Sequence, residues 1–376
     1  MSTKETIRAN WNYPTAIKVG TGRIRELPDL CKSLGMKNAL LVTDPGLASL
    51  PMVQQAIASC KSDGLGCVVF SNIKGNPTEQ NVTDGVHAYR AGKHDGVIAF
   101  GGGSALDAGK AVALMVGQGR PLFDFEDVGD NYLRVNVAAM APVVAVPTTA
   151  GTGSEVGRAS VITDDKAHVK RIIFHPKMLP AVVILDPELT IGLPAKLTAA
   201  TGMDALSHNL EAYCSPFYHP MAAGIALEGI ALVRAWLPRA VENGHDLDAR
   251  LNMLVASSMG ATAFQRGLGA MHALAHPLGA LYDAHHGMLN AILMPYVLQA
   301  NRTAIDERIT RLARYLDLPQ PSFRAFLDWV IQLRENIGIP HTLAAIGIND
   351  AQAALVGRMA VVDGSAATNP IQFSES

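Results

Sequence analysis

The sequence predicts an α/β N-terminal domain with a mainly parallel sheet, followed by an all-α C-terminal domain. Three observations support this fold class. Short, continuous apolar runs alternate with amphipathic segments over residues 1–192. Three consecutive glycines, at 101–103, follow one of these runs. From residue 193 to 376 the strand-like runs give way to alanine-rich stretches with helical spacing. Because 49% of the 376 residues are hydrophobic, the chain can supply a core to each domain.

The N-terminal domain contains five clear strand candidates. In chain order they are "NALLVTD" (38–44), "GCVVFSN" (66–72), "DGVIAFGG" (95–102), "PVVAVPT" (142–148) and "AVVILDP" (181–187). They are apolar runs without strict alternation, which is typical of strands covered by helices on both faces of a parallel sheet. Helices are predicted between several of them, for example over "LPMVQQAIASCKSDG" (50–64) and "TEQNVTDGVHAYRAGK" (78–93).

The C-terminal domain is predicted to be helical. Its clearest helices are "TGMDALSHNLEAYCS" (201–215), "PMAAGIALEGIALVRAWLPRAVEN" (220–243) and "LDARLNMLVASSMGATAFQRG" (247–267). Alanine has the highest helix propensity, and the apolar residues recur at the spacing of one helix face.

The segment "DGVIAFGGGSALDAGK" (95–110) reads as a strand, a glycine turn and a helix. Glycines let the backbone turn sharply and approach a ligand closely. We expect Ser104 to cap the helix, whose free N–H groups and dipole favour a phosphate. A tight turn without a ligand is the alternative. Neither the G-x-G-x-x-G fingerprint nor a P-loop is present.

A second polar loop, "PTTAGTGSEV" (147–156), also follows an apolar strand. Its hydroxyls suit a sugar phosphate or a nicotinamide edge, and a plain polar turn is equally compatible. Two such loops at strand ends fit a ligand at the carboxyl edge of an open sheet. Asp44, at the end of another strand, is placed either to accept hydrogen bonds from a ribose or to open a turn.

Histidines and one aspartate in the C-terminal half suggest a metal site. Asp204 and His208 are four residues apart, so a helix would place them on one face. His272 and His276 have the same separation, although Pro277 must perturb the turn that follows.

His285 and His286 are adjacent, so only one of them should enter a shared site easily. Three imidazoles and one carboxylate form a donor set suited to Zn²⁺ or Fe²⁺. The spacing alone leaves open which histidines are ligands, and any single histidine is also compatible with a structural role. No H-E-x-x-H motif is present, which disfavours a zincin protease.

Composition excludes some functions. The net charge of -2 and the scarcity of aromatic residues disfavour nucleic-acid binding. The apolar runs are too short to span a bilayer, and the N-terminus lacks a hydrophobic signal core. The four cysteines form no Cys-x-x-Cys pair, so we expect a reduced, cytoplasmic setting without a membrane.

Together the motifs resemble those of the iron-containing (group III) alcohol dehydrogenase family. The matching segments run in order along most of the chain: "GGGSALDAGK", "PTTAGTGSEV", "GMDALSHNLEAY" and "HALAHPLGALYDAHHGMLNAILMP". The resemblance implies a Rossmann-like dinucleotide site in residues 1–192 and a metal-binding helical domain in residues 193–376. It also implies an NAD(P)-dependent alcohol dehydrogenase or aldehyde reductase. A divalent metal, Fe²⁺ or Zn²⁺, would polarise the oxygen of a small alcohol or aldehyde. Homodimers or higher homo-oligomers are the family's habit.

Carried over by position, the resemblance implies specific site residues. The metal ligands would be Asp204, His208, His272 and His286. His276 would lie near metal and substrate as a catalytic residue, either a proton relay or a substrate hydrogen-bond partner, with His285 outside the ligand set. The cofactor would contact Asp44, Asn76, Gly102, Gly103, Ser104, Asp107, Thr148, Thr149, Thr152 and Lys170. The resemblance places an acid at position 44 in members that prefer NAD to NADP.

Three rival functions remain at this level. One is a metal-dependent lyase of the dehydroquinate synthase type, which would need more basic residues than Arg266 for an acidic substrate. Another is a metal-free reductase of the maleylacetate type, which the complete Asp–His–His–His set disfavours. The third is a nucleotide-binding module without enzymatic activity.

Overall fold

The computed structural model describes residues 9–11, 15–167 and 169–374. Within them the strands are β1 (Ala9–Trp11), β2 (Ala16–Val19), β3 (Asn38–Val42), β4 (Gly66–Phe70), β5 (Gly96–Gly101), β6 (Val143–Pro147), β7 (Ala159–Asp164), β8 (Val169–Phe174) and β9 (Val182–Leu185). The α-helices are α1 (Leu27–Ser33), α2 (Pro45–Ala48), α3 (Pro51–Ser62), α4 (Glu79–Ala91), α5 (Gly103–Met115), α6 (Ala195–Cys214), α7 (Pro220–Glu242), α8 (Leu247–Ala263), α9 (Ala270–Tyr282), α10 (His286–Tyr315), α11 (Phe323–Asn336) and α12 (Ala353–Val361).

The main sheet is mostly parallel, as predicted. The described strands lie in the order β1-β2-β9-β6-β5-β3-β4, and only the β1–β2 pair is antiparallel. All five predicted strands belong to this sheet. The apolar run of β5 is buried throughout because helices cover both of its faces. On one face Phe100 packs in a core with residues of α1 and α3. On the other, α5 approaches so closely that a Cβ on Gly109 would lie 2.7 Å from the Cβ of Ala99.

The strand order reverses beside β3, which pairs with β4 on one side and β5 on the other. In open α/β sheets such a reversal leaves a crevice at the carboxyl ends of the two diverging strands. Asp44 follows β3 and the glycine turn follows β5, so both lie at this end of the sheet. The fold therefore places two of the sequence-predicted cofactor segments where such sheets bind ligands.

Four of the described strands were not predicted from the sequence. β1 pairs with β2, which joins the sheet beside β9, and β7 and β8 form a separate antiparallel pair. β7 alternates between buried and half-buried residues, so it lacks the continuous apolar run that marks the other strands. Lys110, which is buried in α5, donates to the main-chain oxygen of Ala159 and thereby ties this pair to the rest of the α/β part.

The C-terminal part is helical, as predicted. Helices α6, α7 and α8 pack together, and α10 packs against α6, α9 and α11 around one apolar core. By length and composition α7 could span a bilayer, and it was the one such helix found among the described residues. Its Ala226, Ile230, Val233 and Leu237 are fully buried in this core. Burial of that face is typical of a core helix.

The chain divides into two compact units. One runs up to Thr149 and resumes over Ser154–Ile191, and the other comprises Ala150–Gly153 and Gly192–Ser376. The short excursion at 150–153 depends on two glycines. A Cβ on Gly151 would lie 2.9 Å from the main-chain oxygen of Thr201. Gly153 has a φ of +63° and would meet the main-chain oxygen of Ser257 at 2.7 Å. Only residues without a side chain fit against α6 and α8 here.

Candidate active site

The helical unit brings together the four residues predicted as metal ligands. Asp204 and His208 lie on α6, His272 lies on α9, and His286 is the first residue of α10. One potential ligand atom from each residue lies within 4.8 Å of the other three. Nε2 of His286 is 3.6 Å from Oδ1 of Asp204. Three imidazole nitrogens and one carboxylate oxygen at this spacing fit a divalent cation such as Zn²⁺ or Fe²⁺.

A glycine at the start of α10 lets this helix pack closely against α6, which brings His286 near Asp204. Gly287 follows His286 and lies directly against α6, where an added Cβ would be 3.0 Å from the Cβ of Asp204. His285 precedes the helix and is its N-cap, with Nδ1 accepting a hydrogen bond from the main-chain N–H of Met288. The two adjacent histidines therefore have different positions, with one capping the helix and the other in the cluster.

A buried carboxylate orients His272. Nδ1 of His272 lies 2.6 Å from Oε2 of Glu211, so this nitrogen donates and Nε2 carries the free lone pair. Glu211 also accepts hydrogen bonds from the main-chain N–H groups of Gly269 (2.9 Å) and Met271 (2.7 Å). These two groups begin α9 and have no partner within their own helix. Glu211 thus fixes both the start of α9 and the imidazole that it carries.

Burial controls the charge of this pair. Desolvation lowers the pKa of His272 well below its usual value, which keeps the imidazole neutral and able to bind a cation. Desolvation raises the pKa of Glu211 to about 7, and the two main-chain N–H donors act in the opposite direction. Nδ1 of His208 also has a hydrogen-bond partner, the main-chain oxygen of Gly151 at 3.2 Å, which orients this second imidazole.

His276 stacks on the cluster and has its own carboxylate partner. Its ring lies 5.5 Å from that of His286, at an angle of 12° between the planes. Its Nδ1 is 2.8 Å from Oδ2 of Asp363, whose Oδ1 accepts from the main-chain N–H of Ser365. The hydrogen bond from His276 holds the pKa of Asp363 below its usual value, against the effect of burial. Helix α9 continues through Pro277 to Tyr282, so the proline does not end the helix that carries His276.

In the α/β unit, the glycine turn differs from its prediction in one respect. Helix α5 begins at Gly103, its N-cap is Gly102, and no side chain caps it. The prediction that Ser104 caps the helix was therefore wrong, because the flexible glycines let the helix start two residues earlier than a cap at Ser104 requires. The N-terminal N–H groups of α5 remain without a side-chain acceptor at the cap, which suits a phosphate.

The second loop lies beside this turn. The main-chain N–H of Thr148 donates to the main-chain oxygen of Gly101, and Gly102 approaches Thr149. Thr152 falls in the excursion that belongs to the helical unit. Asp44 caps the short helix α2 by accepting from the main-chain N–H of Leu47 through Oδ1. Its turn-opening role is thus observed, and a role toward a ribose stays a prediction.

The remaining predicted cofactor residues have partners within the α/β unit. Nζ of Lys170 donates to Oδ1 of Asn76 at 2.9 Å, and Asn76 has a φ of 57°, in the left-handed region that asparagine tolerates. Asp107 accepts from the Ser154 hydroxyl at 2.5 Å and from the main-chain N–H of Val161 at 3.0 Å. Both of its carboxylate oxygens therefore hold the second loop and β7 in place.

Sequence reasoning missed three residues of the site: Glu211, Asn290 and Asp363. Glu211 follows His208 by three positions, and Asn290 follows His286 by four, so both share a helix face with a ligand and a closer reading of spacing would have found them. Asp363 lies 87 residues from His276, and the local sequence gives no signal that pairs them.

Comparisons with known proteins cover both units of the chain. The family model "Iron-containing alcohol dehydrogenase" matches residues 14–187, and "Fe-containing alcohol dehydrogenase family, C-terminal" matches 198–376. The 4-hydroxybutyrate dehydrogenase of Cupriavidus necator is 40% identical over 96% of each chain. The NAD-dependent methanol dehydrogenase of Bacillus methanolicus is 35% identical, over 96% of this chain and 95% of that one. A crystal structure of 1,3-propanediol oxidoreductase superposes with a TM-score of 0.92 and 35% identity, covering 99% of this chain and 97% of the other. This chain belongs to the iron-containing alcohol dehydrogenase family.

Proposed function

We propose that this protein is an NAD-dependent alcohol dehydrogenase and aldehyde reductase that uses a divalent metal, Fe²⁺ or Zn²⁺. The proposal rests on the cluster of Asp204, His208, His272 and His286, in which three helices supply three imidazole nitrogens and one carboxylate oxygen to one site. When bound, the cation polarises the substrate oxygen, and NAD(H) exchanges a hydride with the carbon that bears it.

The chain's own residues hold and tune this chemistry. Glu211 accepts the Nδ1 proton of His272 in a hydrogen bond, so Nε2 faces the cluster with a free lone pair that can bind a metal. Asp363 does the same for His276, which leaves Nε2 of His276 as the nitrogen that can accept a proton. We assign His276 the role of proton relay or substrate hydrogen-bond partner, because it stacks on a proposed ligand.

The cofactor is assigned to the α/β unit, residues 1–192, and the metal to residues 193–376. The N-terminus of α5, with Gly102, Gly103 and Ser104, would receive the pyrophosphate. The further contacts are assigned to Asn76, Asp107, Thr148, Thr149, Thr152 and Lys170. The printed name of the Bacillus methanolicus relative supports NAD as the nucleotide.

Asp44 provides a test of cofactor preference. The Asp44→Ala substitution should lower kcat/KM for NAD⁺ relative to NADP⁺ by about tenfold or more. The substitution removes the proposed hydrogen bonds to the ribose, and it also removes the charge that would repel a 2′-phosphate. Asp44→Asn is the matched control, since it keeps an acceptor for the N–H of Leu47 and removes only the charge. A strong NADP⁺ preference in the native enzyme would defeat this role.

The substrate is proposed to be a small primary alcohol or its aldehyde. Methanol, 4-hydroxybutyrate and 1,3-propanediol, named for the three similar proteins, all carry a primary hydroxyl. The test is absorbance at 340 nm with NAD⁺ and a panel of short alcohols, diols and hydroxy acids, and with NADH and the aldehydes. We expect NADH to form with at least one primary alcohol. No absorbance change across the whole panel would favour a nucleotide-binding module instead.

The lyase alternative is not favoured by the structure of the helical unit. Arg266, the basic residue nearest to the histidine segment in sequence, donates to the main-chain oxygens of Phe217 (2.7 Å) and Tyr213 (3.1 Å). Its guanidinium therefore holds the loop after α6 and is committed to protein acceptors. A metal-free reductase is disfavoured because all four proposed ligands are present and close together.

We further propose a cytoplasmic enzyme that assembles as a homodimer or higher homo-oligomer. The four cysteines are all buried free thiols, which is compatible with a reducing compartment. The oligomeric state follows the habit of the family, and size-exclusion chromatography with light scattering would measure it directly.

A further inference from the structure

Asn290 occupies a central position in the histidine cluster. It lies on α10 one turn after His286, and its side chain is completely buried. Its Nδ2 lies 2.8 Å from Oδ1 of Asp204, 3.2 Å from Nε2 of His272 and 3.2 Å from Nε2 of His286. One amide nitrogen thus reaches the ligand atoms of three helices at once.

The chemistry of the amide limits what these contacts can be. A carboxamide has two N–H groups, so it cannot donate to all three acceptors together. If His272 and His286 hold a cation through Nε2, those lone pairs would be used for the cation and would no longer accept hydrogen bonds. The contact that survives in the loaded site is therefore the one from Asn290 to the carboxylate of Asp204.

The oxygen of the same amide also supports a role for Asn290 at this site. Oδ1 of Asn290 is buried, and no hydrogen-bond partner for it was found among the described residues. A buried acceptor without a partner is a cost that an apolar residue of the same shape would avoid. At this position the amide nitrogen contacts the proposed ligands, which is a reason for an asparagine in place of an apolar residue.

We propose that Asn290 is a positioning residue of the metal centre. Its amide nitrogen holds the Asp204 carboxylate by a hydrogen bond and would orient that carboxylate toward the cation. This inference rests on the proposed function, because it requires the cluster to bind a metal. It adds to that function a residue outside the ligand set that determines metal affinity.

The test measures metal affinity directly, without nucleotide or alcohol. Asn290→Leu matches the side chain in shape and removes the donor. Competition between the protein and a chromophoric chelator for Zn²⁺ should show that this variant binds about 10- to 100-fold more weakly than the wild type, the range that outer-shell substitutions produce. The visible spectrum of the Co²⁺-loaded variant should also change, since a reoriented carboxylate alters the ligand geometry. Asn290→Ser, which keeps a shorter donor, should give an intermediate affinity.

The matched control is Asn301→Ala. Asn301 is a buried asparagine on the same helix, and its amide pairs with Asn369 in place of a proposed ligand. We expect its Zn²⁺ affinity to stay close to that of the wild type. Wild-type affinity and an unchanged Co²⁺ spectrum in Asn290→Leu would overturn the proposal, as would an equal loss in Asn301→Ala. If Asn290→Leu does not fold, Asn290→Ser decides by the same criterion. A wild-type protein that binds no divalent cation would instead defeat the proposed function itself.

Discussion

The His272→Ala variant is expected to lose its metal and to lose kcat/KM by roughly a thousandfold or more, because polarisation of the substrate oxygen by a cation is worth several kcal/mol. His272 is almost completely buried, and Glu211 fixes its Nδ1, so Nε2 is the nitrogen that His272 presents to the cluster. Elemental analysis of the purified variant and NAD⁺-dependent turnover measure the two losses separately.

A second histidine variant controls for the general effect of removing an imidazole. His219 caps α7 by accepting from the main-chain N–H of Ala222, and it is not part of the cluster. His219→Ala should keep its metal and lose about 1 kcal/mol of stability with the cap. Retained metal and normal turnover in His272→Ala would show that His272 is not a ligand.

The Glu211→Ala variant should combine the largest loss of stability with a loss of metal affinity. It leaves the N–H groups of Gly269 and Met271 and the Nδ1–H of His272 buried without an acceptor. Breaking a buried network of this kind costs roughly 3–5 kcal/mol. We also expect metal affinity to fall by about 10- to 100-fold, because the imidazole is no longer oriented. Chemical denaturation and chelator competition measure the two effects.

Glu211→Gln separates the two roles of this residue. One amide oxygen can still accept from the start of α9, so the variant should recover part of the lost stability. An amide oxygen at the position of Oε2 keeps the contacts to Gly269 and His272, and the amide nitrogen leaves only the N–H of Met271 without an acceptor, so metal affinity should recover more completely than stability. Unchanged stability and affinity in both variants would contradict the role assigned to Glu211.

Much of the fold could be predicted from local sequence patterns. The five predicted strands were identified because burial on both faces requires continuous apolar runs, and the main sheet contains all of them. The β7–β8 pair was not predicted because β7 alternates between buried and half-buried residues and β8 is mostly half-buried, so neither strand is a continuous buried run. The predicted cap of α5 was misplaced by two residues, because Gly102 and not Ser104 is the N-cap and the helix begins there without a side-chain cap.

The candidate site was predictable as far as its contacts are local. Helix spacing paired Asp204 with His208, and the separation of His285 from His286 followed from their adjacency, but only the family resemblance selected His272 and His286. The partners that hold these residues arise from packing between distant segments. The hydrogen bond from His276 to Asp363 spans 87 residues, and no periodicity within one segment can predict such a contact.

The proposal that the cluster is a catalytic metal centre is tested most directly by titrating metal-stripped protein with Fe²⁺ or Zn²⁺. NADH formation from a primary alcohol is followed at each addition, with bound metal measured in parallel. We predict that turnover is absent without metal, rises in proportion to occupancy and reaches its maximum at one ion per chain. Full turnover by the metal-stripped protein would contradict this account and would favour a metal-free reductase.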